Sequence, residues 1–323
     1  MIALKPPDQK LFFAKNDPLD LRLGDLASFQ AAVAGAKAKD LFNNDFALQL
    51  WGYPDDEGIL LNGGRLGAKE APFWIRNYLY RMTPDLFSRS VAKIADFGDL
   101  ATDEKLETRH QQARDLAYSA TQQEKSWVSL GGGHDYGFPD SAGFCQAMIE
   151  QGKTPIVINF DAHLDVRPSD KGFNSGTPFY RLLAEFERKI HFFEVGIQAQ
   201  CNSRHHLQWA QEKGAQIISL LEIADKGLLP ALKNRLNSFL QSPVFVSLDL
   251  DCFTSNEAPG CSQSWTSGLN FREFSGALKW LTDSFSVRGL GLYEVSPPLD
   301  FDHQTSKLAA LIVHQYLSSL RNT

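Results

Sequence analysis

The sequence predicts an α/β fold in which helices cover both faces of a mostly parallel sheet. From about residue 120 onward, short apolar runs alternate with amphipathic stretches, the order expected of repeated strand–helix units. The runs are nearly continuous in apolar character, without the strict apolar–polar alternation of a half-exposed strand. Such runs are typical of parallel strands that are buried on both faces.

Six runs are predicted as strands because they are short and several are rich in Val, Ile and Phe. They are Trp127–Leu130, Ile156–Phe160, Phe192–Val195, Ile217–Leu220, Val244–Leu248 and Leu290–Val295. The stretches between them carry helical patterns, and Asn270 and Ser306 are suited to serve as helix N-caps. The predicted helices include Ser141–Gln151, Phe179–Arg188, Phe271–Ser284 and Ser306–Leu320.

No stretch of the sequence has the composition of a linker, so we expect residues 1–323 to form a single domain. The first part of the chain is less regular. It carries Pro6-Pro7 and few periodic signals, and we expect residues 1–45 to form a partly irregular N-terminal extension.

Composition narrows the classes of function. The 323 residues carry a formal net charge of −6, with 43% hydrophobic and 22% charged residues, which supports a large core and argues against disorder. The chain lacks the basic footprint of a nucleic-acid-binding protein, and no apolar run approaches the ~20 residues of a membrane span. Residues 1–10 show no secretory signal. Four cysteines without a CxxC pair are expected to be reduced thiols in a cytoplasmic protein.

Chemically active side chains follow three of the predicted strands and lie near the end of a fourth. They lie in GGGHD at 131–135, in DAHLD at 161–165, at Asp249 and Asp251, and at Glu294. In open α/β sheets, ligands bind outside the carboxyl ends of the strands. These side chains are therefore expected to meet at one edge of the sheet.

The spacing of the acidic residues and histidines indicates a metal site. Positions 161, 163 and 165 alternate, so their side chains point the same way in extended backbone, and positions 249 and 251 repeat this spacing. Six such ligands exceed the need of one tetrahedral zinc and suit a pair of Mn²⁺ ions sharing a water. The glycines at 131–133 do not complete a GxGxxG dinucleotide motif. The candidate ligands are His134, Asp161, His163, Asp165, Asp249 and Asp251.

The order of GGGHD (131–135), DAHLD (161–165), SLDLD (247–251) and EVSP (294–297) resembles the ureohydrolase superfamily of arginases, agmatinases and formimidoylglutamases. The resemblance extends over roughly residues 58–320. It implies a three-layer, doubly wound parallel sheet and two Mn²⁺ ions per chain. These ions would activate a hydroxide that attacks an amidine or guanidine carbon.

The resemblance also implies roles for individual residues. One ion would be held by His134, Asp161, Asp165 and Asp249, and the other by His163 and Asp251 with one of the shared aspartates. Glu294 would accept hydrogen bonds from the cationic amidine nitrogens, because charge-assisted pairing suits a planar N–C–N fork. The candidate catalytic residues are Glu294 and Asp135, the last residue of the GGGHD motif.

Two departures from the arginase pattern bear on the substrate. Ser175, followed by Gly176, stands where guanidine hydrolases usually carry a proton-shuttling His, and Ser has no titration near neutral pH. The version SGTPF at 175–179 resembles formimidoylglutamases. Arg167 stands where arginase has an Asn that touches the substrate carboxylate, and its guanidinium offers a permanent charge and a bidentate fork. Arg65 is a second candidate for the carboxylates, although we expect it to pair with Asp96 or Asp99.

The sequence therefore predicts a Mn²⁺-dependent hydrolase whose small-molecule substrate carries carboxylates. Closest in motif is a formimidoylglutamase, converting N-formimidoyl-L-glutamate to L-glutamate and formamide in histidine degradation. Arg167, Ser175, Gly176 and Glu294 are its candidate substrate contacts. Two alternatives remain: an agmatinase or other guanidine hydrolase that releases urea, and a catalytically silent relative that keeps the metal site. Relatives are often oligomers, so a homo-oligomer is compatible with the resemblance.

Overall fold

The computed structural model describes residues 2–30, 37–87 and 92–320. A single sheet of ten strands lies at the centre of these residues. In chain order the strands, β1 to β10, are Leu4–Lys5, Ala27–Phe29, Leu48–Gly52, Ile94–Leu100, Ser126–Leu130, Ile156–Phe160, His191–Ile197, Gln216–Ser219, Pro243–Asp249 and Ser286–Tyr293.

The strand order is β1-β4-β3-β5-β10-β9-β6-β7-β8, with β2 also paired to β4. Strand β1 runs antiparallel to β4, and the other pairings within this sheet are parallel. The predicted mostly parallel sheet is therefore confirmed. Parallel neighbours need crossover connections, and helices supply them. In chain order the α-helices of the described residues, α1 to α12, are Leu23–Leu26, Ala38–Leu41, Glu57–Leu61, Ala71–Leu79, Leu106–Gln122, Gly137–Glu150, Pro178–Glu185, Arg204–Glu212, Leu220–Lys226, Leu228–Leu236, Phe271–Ser284 and Gln304–Ser319.

Two apolar cores lie on the two faces of the sheet. Successive strand residues point to opposite faces, so Trp127 of β5 joins one core and Val128 joins the other. Helices α5–α8 pack in the core with Trp127, and α4 and α9–α12 pack in the core with Val128. Helices thus cover both faces, as the continuous apolar strands predicted.

The predicted strands and helices from residue 120 onward agree with the observed elements apart from their ends. Strand β10 begins at Ser286, ahead of the predicted Leu290, and Glu294 lies just beyond its last residue. Asn270 caps α11 as predicted, since its side chain accepts a hydrogen bond from the backbone of Glu273.

The prediction of Ser306 as a helix N-cap is wrong. Helix α12 begins at Gln304, and the carboxylate of Asp300 accepts hydrogen bonds from the backbone nitrogens of Thr305 (2.9 Å) and Ser306 (3.3 Å). A carboxylate in the preceding turn satisfies the free N–H groups of the first helical turn and favours the positive end of the helix dipole. Ser306 therefore lies inside the helix.

Strands β3 and β4 were not predicted because buried polar residues interrupt their apolar pattern. Gln49 of β3 is fully buried, and its side chain hydrogen-bonds to Asn44. Asp96 of β4 is fully buried too. Their polar groups are satisfied by side chains outside these strands, Asn44 for Gln49 and Arg76 for Asp96, and a periodicity argument does not detect such partners.

Parts of the predicted N-terminal extension join the sheet. Strand β1 pairs with Asp99 and Leu100, and β2 pairs with the first residues of β4. The elements of this segment are short, with irregular backbone between them. Positions 1 and 31–36 of the predicted extension lie outside the described residues.

Two further expectations can be compared with the structure. Within the described ranges, no helix has both the length and the apolar character needed to cross a membrane. The predicted free thiols are confirmed for Cys145, Cys201, Cys252 and Cys261.

A buried ion cluster joins α4 to β4. The guanidinium of Arg76 donates to both carboxylate oxygens of Asp96 (2.9 and 3.0 Å), to Asp99 (2.6 Å) and to the carbonyl of Gly98 (2.9 Å). The prediction that Arg65 pairs with Asp96 or Asp99 is wrong. Arg65 instead donates to the backbone carbonyls of residues 261 and 262, and Arg76 is the arginine that pairs with both carboxylates.

Replacing Arg76 by Leu should lower the free energy of unfolding by about 3–5 kcal/mol, because it leaves the Asp96 carboxylate buried without its partner. Urea denaturation followed by circular dichroism measures this change. The matched control is Lys307→Met, which breaks an exposed pair with Asp302 and should change stability little. Equal midpoints for the two variants would contradict the interpretation of Arg76 as a buried anchor.

Candidate active site

Four neighbouring strands deliver the predicted site residues to one edge of the sheet. The order β5-β10-β9-β6 places these strands side by side. His134 follows β5, Asp161 follows β6, Asp249 ends β9 and Glu294 follows β10. Parallel neighbours end on the same side, so the expectation that these side chains meet at the carboxyl edge is correct for all four.

The glycines before His134 allow a close approach of backbone to backbone. A Cβ at Gly132 would lie 1.7 Å from the carbonyl oxygen of Asp55, and one at Gly131 would lie 2.4 Å from that of Leu292. Neither glycine has a positive φ. Glycine is needed at these two positions because a Cβ would overlap the neighbouring backbone. The close packing of the backbone places His134 at the strand ends.

The first group of candidate ligands surrounds Nδ1 of His134. This atom lies 3.1 Å from Asp161 Oδ2, 3.1 Å from Asp165 Oδ2 and 3.2 Å from Asp249 Oδ2. Although it is buried, Nδ1 has no partner with hydrogen-bond geometry within the described part of the chain. The other ring nitrogen, Nε2, lies 2.9 Å from Ser247 Oγ. A proton on Nε2 leaves the Nδ1 lone pair available to a cation.

A second group shares Asp161 with the first. His163 Nδ1 lies 3.4 Å from Asp161 Oδ1 and 3.2 Å from Asp251 Oδ2. The ligand atoms in each group all lie within 4.8 Å of one another. This division coincides with the assignment to two ions that the family resemblance implies, and it makes Asp161 the residue common to both.

Local backbone contacts hold these aspartates in place. Asp161 Oδ1 accepts a hydrogen bond from the backbone of His163 (2.7 Å), and Asp249 Oδ1 accepts one from the backbone of Asp251 (2.8 Å). In each case the carboxylate turns the chain just beyond its strand. The second oxygen, Oδ2, of each of these two aspartates lies near Nδ1 of His134.

Burial makes this concentration of negative charge costly. Burial, with the neighbouring carboxylates of Asp251 and Asp161, raises the pKa of Asp249 well above its usual value. Burial and Asp161 likewise raise the pKa of Asp165. Despite its burial, the pKa of Asp161 is lowered by the nearby imidazoles of His134 and His163. A divalent cation would offset the repulsion, so the donor set of carboxylate oxygens and imidazole nitrogens fits Mn²⁺.

A cavity of about 280 Å³ opens above these groups. His163 and the aspartates at 165, 249 and 251 line this cavity. Arg167, Ser175, Asn62 and Glu294 line it as well. Acidic ligand candidates and the cationic Arg167 thus border the same space.

Glu294 is held in an uncommon backbone conformation. Its φ is +64°, a left-handed geometry that costs free energy for a residue with a Cβ. Its Oε1 accepts a hydrogen bond from the backbone nitrogen of His134 (3.0 Å), and burial raises its pKa to about 8. A bound amidinium cation would favour the ionised form of this carboxylate.

Asn62 is a cavity residue that the sequence interpretation did not single out. Its Oδ1 accepts a hydrogen bond from Arg167 Nη1 (2.6 Å), and its Nδ2 donates to Ser175 Oγ (3.0 Å). Asn62 lies within the part of the chain covered by the family resemblance, roughly residues 58–320, but it carries no charge that would mark it. Gly176 does not line the cavity; a Cβ there would lie 2.9 Å from Cδ of Arg167, so it leaves room for that side chain.

Asp135 lies below the cavity and does not line it. Its Oδ2 is 2.7 Å from Nε2 of the buried His110. A Cβ on Gly58 would lie 2.1 Å from its Oδ1, so the carboxylate is tightly enclosed. The catalytic role assigned to Asp135 from the motif remains a prediction, and the contacts observed for its side chain are with supporting residues.

Comparison with known proteins adds independent findings. The model of the arginase family matches residues 47–318. The chain is 31% identical to a formimidoylglutamase of Staphylococcus epidermidis, over 94% of this chain and 95% of that protein. It is 29% identical to a formimidoylglutamase of Aeromonas salmonicida, over 82% and 85%. A Mn²⁺-containing crystal structure of Trypanosoma cruzi formiminoglutamase superposes with a TM-score of 0.80 at 27% identity, covering 93% of this chain and 98% of that one.

Substitution of the shared aspartate should affect metal binding more than substitution of an unshared one. Asp161→Asn removes a candidate ligand from both groups, whereas Asp165→Asn removes one from the first group only. We expect wild type to bind two Mn²⁺ ions, Asp165→Asn to keep about one, and Asp161→Asn to fall below that. Equilibrium dialysis with elemental analysis measures these contents. The exposed Asp283→Asn serves as control, and wild-type Mn²⁺ content in Asp161→Asn would refute the shared-ligand assignment.

Proposed function

This chain belongs to the arginase family, and from that premise we propose that it hydrolyses N-formimidoyl-L-glutamate to L-glutamate and formamide. The observation that carries the proposal is the pairing of a carboxylate-rich double ligand group with Arg167 and Ser175 across one cavity. Similarity to formimidoylglutamases over most of the chain supports the same substrate.

The two ligand groups are proposed to hold two Mn²⁺ ions per chain. His134, Asp161, Asp165 and Asp249 would hold one, and Asp161, His163 and Asp251 the other. When bound, such a pair supplies the Lewis acidity that makes water a nucleophile at neutral pH. The Mn²⁺ in the similar trypanosomal structure supports the choice of metal.

The protein's own residues would orient the substrate. Glu294 accepts hydrogen bonds from the amidine nitrogens and directs the formimidoyl carbon towards the ligand groups. Arg167 binds a carboxylate of the glutamate part, with Asn62 fixing one edge of its guanidinium. Water attacks the formimidoyl carbon, the bond from this carbon to the glutamate nitrogen breaks, and that nitrogen gains a proton. Ser175 lies beside Asn62 and supports its position.

A guanidine hydrolase is the alternative within the enzymes. Arg167 argues against agmatine, because that substrate is cationic and carries no carboxylate. Ser175 argues against the proton-shuttle chemistry of guanidine hydrolysis, since a hydroxyl does not titrate near neutral pH. A catalytically silent relative is the second alternative, but the ligand set is complete in both groups.

We propose further that the chain acts in the cytoplasm, in histidine degradation, as one catalytic domain. The single ten-stranded sheet supports the last point, because the site draws residues from both halves of it.

A substrate panel tests the proposal. The Mn²⁺-loaded protein is assayed with formimidoylglutamate, agmatine, arginine and guanidinobutyrate, and formamide and urea are measured as products. Formamide from formimidoylglutamate alone is the expected result. Urea from a guanidine substrate would favour the first alternative, and no turnover with full Mn²⁺ content would favour the second.

Arg167→Ala should lower kcat/KM for formimidoylglutamate by roughly ten- to a hundredfold, because a charge-assisted hydrogen bond contributes ~1.5–3 kcal/mol. The Mn²⁺ content should not change, since Arg donates nothing to a cation. Arg167→Lys should restore part of the activity, because it keeps the charge without the planar fork. Steady-state kinetics with elemental analysis provide both measurements. Wild-type kcat/KM in Arg167→Ala would contradict the proposed contact between Arg167 and a substrate carboxylate.

A further inference from the structure

An arginine of α7 lies between two aromatic rings beside the cavity wall. The guanidinium carbon of Arg181 is 3.7 Å from the ring centroid of Phe138 and 3.5 Å from that of Phe173. Cations on the faces of aromatic rings are attracted by the ring quadrupole, most strongly where water is excluded. Arg181 is half-buried, so this contact is partly shielded from solvent.

The same guanidinium begins a chain of hydrogen bonds that ends at Asp135. Arg181 Nη1 donates to Nδ1 of His110 (3.1 Å), and His110 Nε2 lies 2.7 Å from Asp135 Oδ2. Because Arg is always a donor, Nδ1 acts as the acceptor and Nε2 carries the proton that is donated to Asp135. The His110 ring also stacks on Phe173, at 6.0 Å between centroids and 22° between planes.

Phe173 belongs to the loop that carries the proposed substrate contacts. This loop, residues 166–177, includes Arg167 near its start and Ser175 near its end. Residues 170–172 are exposed, and Phe173 is the half-buried side chain that follows them. Backbone hydrogen bonds hold the two ends of the loop: Arg167 N donates to Gly176 O (2.9 Å), and Ser175 N donates to Gly58 O (3.1 Å).

The contacts of Phe173 connect this loop to the metal side of the site. Phe138 and Asp135 lie in the segment that directly follows the candidate ligand His134. Through Arg181 and His110, the loop and that segment are held against the same helices, α5 and α7. Packing outside the cavity thus ties the loop that carries Arg167 to the segment that follows His134.

We propose that Phe173 is a positioning residue whose stacking on Arg181 and His110 sets the loop 166–177, and with it Arg167 and Ser175, relative to the candidate metal ligands. The proposal rests on the proposed function in that it takes these two residues as substrate contacts. Phe173 touches neither the cavity nor the ligand groups, so its effect is on substrate binding and not on metal binding.

The test compares Phe173→Leu with the conservative Phe173→Tyr in the Mn²⁺-loaded full chain. Phe173→Leu should raise KM for formimidoylglutamate about tenfold, the value expected for loss of a partly desolvated cation–π contact, with a smaller change in kcat and wild-type Mn²⁺ content. Phe173→Tyr keeps an aromatic face and should restore KM to about the wild-type value. Amide hydrogen exchange of residues 166–177 should accelerate in the Leu variant alone.

A double-mutant cycle separates this contact from general destabilisation. If Phe173 acts through Arg181, the effects of Phe173→Leu and Arg181→Met on KM should not add in the double variant. The matched control is Phe186→Leu, which affects another arginine–aromatic pair, with Arg114 at 5.9 Å from the Phe186 ring. That variant should leave KM unchanged.

Wild-type KM in Phe173→Leu, additive effects in the cycle, or faster exchange throughout the sheet would each overturn the positioning role. Absence of turnover by the wild-type protein would refute the proposed function instead. In that case the exchange rates of residues 166–177 still decide whether Phe173 anchors the loop.

Discussion

Repulsion among buried carboxylates is the constraint on which the site depends. Four aspartates and two histidines come within a few ångströms of one another in a region largely closed to water. Such a set is stable only where a rigid frame holds the side chains together and the positive charge of a cation offsets the repulsion among the carboxylates. The frame is the carboxyl edge of adjacent parallel strands, where Gly132 lets the backbone of Asp55 approach closely just before His134. At Asp161 and Asp249, a hydrogen bond from the backbone two residues further on fixes the orientation of each carboxylate.

The cavity above this set is lined by groups of opposite charge. The carboxylates of the candidate ligands and the Arg167 guanidinium border the same space. A zwitterionic small molecule, cationic at one end and anionic at the other, has a single favourable orientation in such a field. Orientation and chemistry are thus coupled, because the same arrangement that attracts the substrate also presents its amidine carbon to the ligand groups.

The sequence was sufficient to predict the central strands and the convergence of the candidate ligands, because each depends on local pattern. Continuous apolar runs marked β5–β10, and alternating Asp and His marked the strand ends. It was insufficient where a residue depends on a partner that only the fold brings into contact. Gln49 and Asp96 interrupt apolar runs, and their side chains pair with Asn44, five residues away, and with Arg76 of α4. The sequence also did not single out Asn62 and Phe173, because an uncharged amide and a loop aromatic are marked only by the neighbours that they contact in the folded chain.

The position of β10 has a consequence for the order in which the molecule can be built. This strand, the last of the ten in sequence, lies between β5 and β9 and pairs with both. Among the described strands, β10 joins the half containing β1–β5 to the half containing β6–β9. His134 belongs to the first half, whereas Asp161, Asp165 and Asp249 belong to the second. A growing chain therefore has both halves of its metal centre synthesised but not yet joined by strand pairing, and the late insertion of β10 completes the sheet and the centre together.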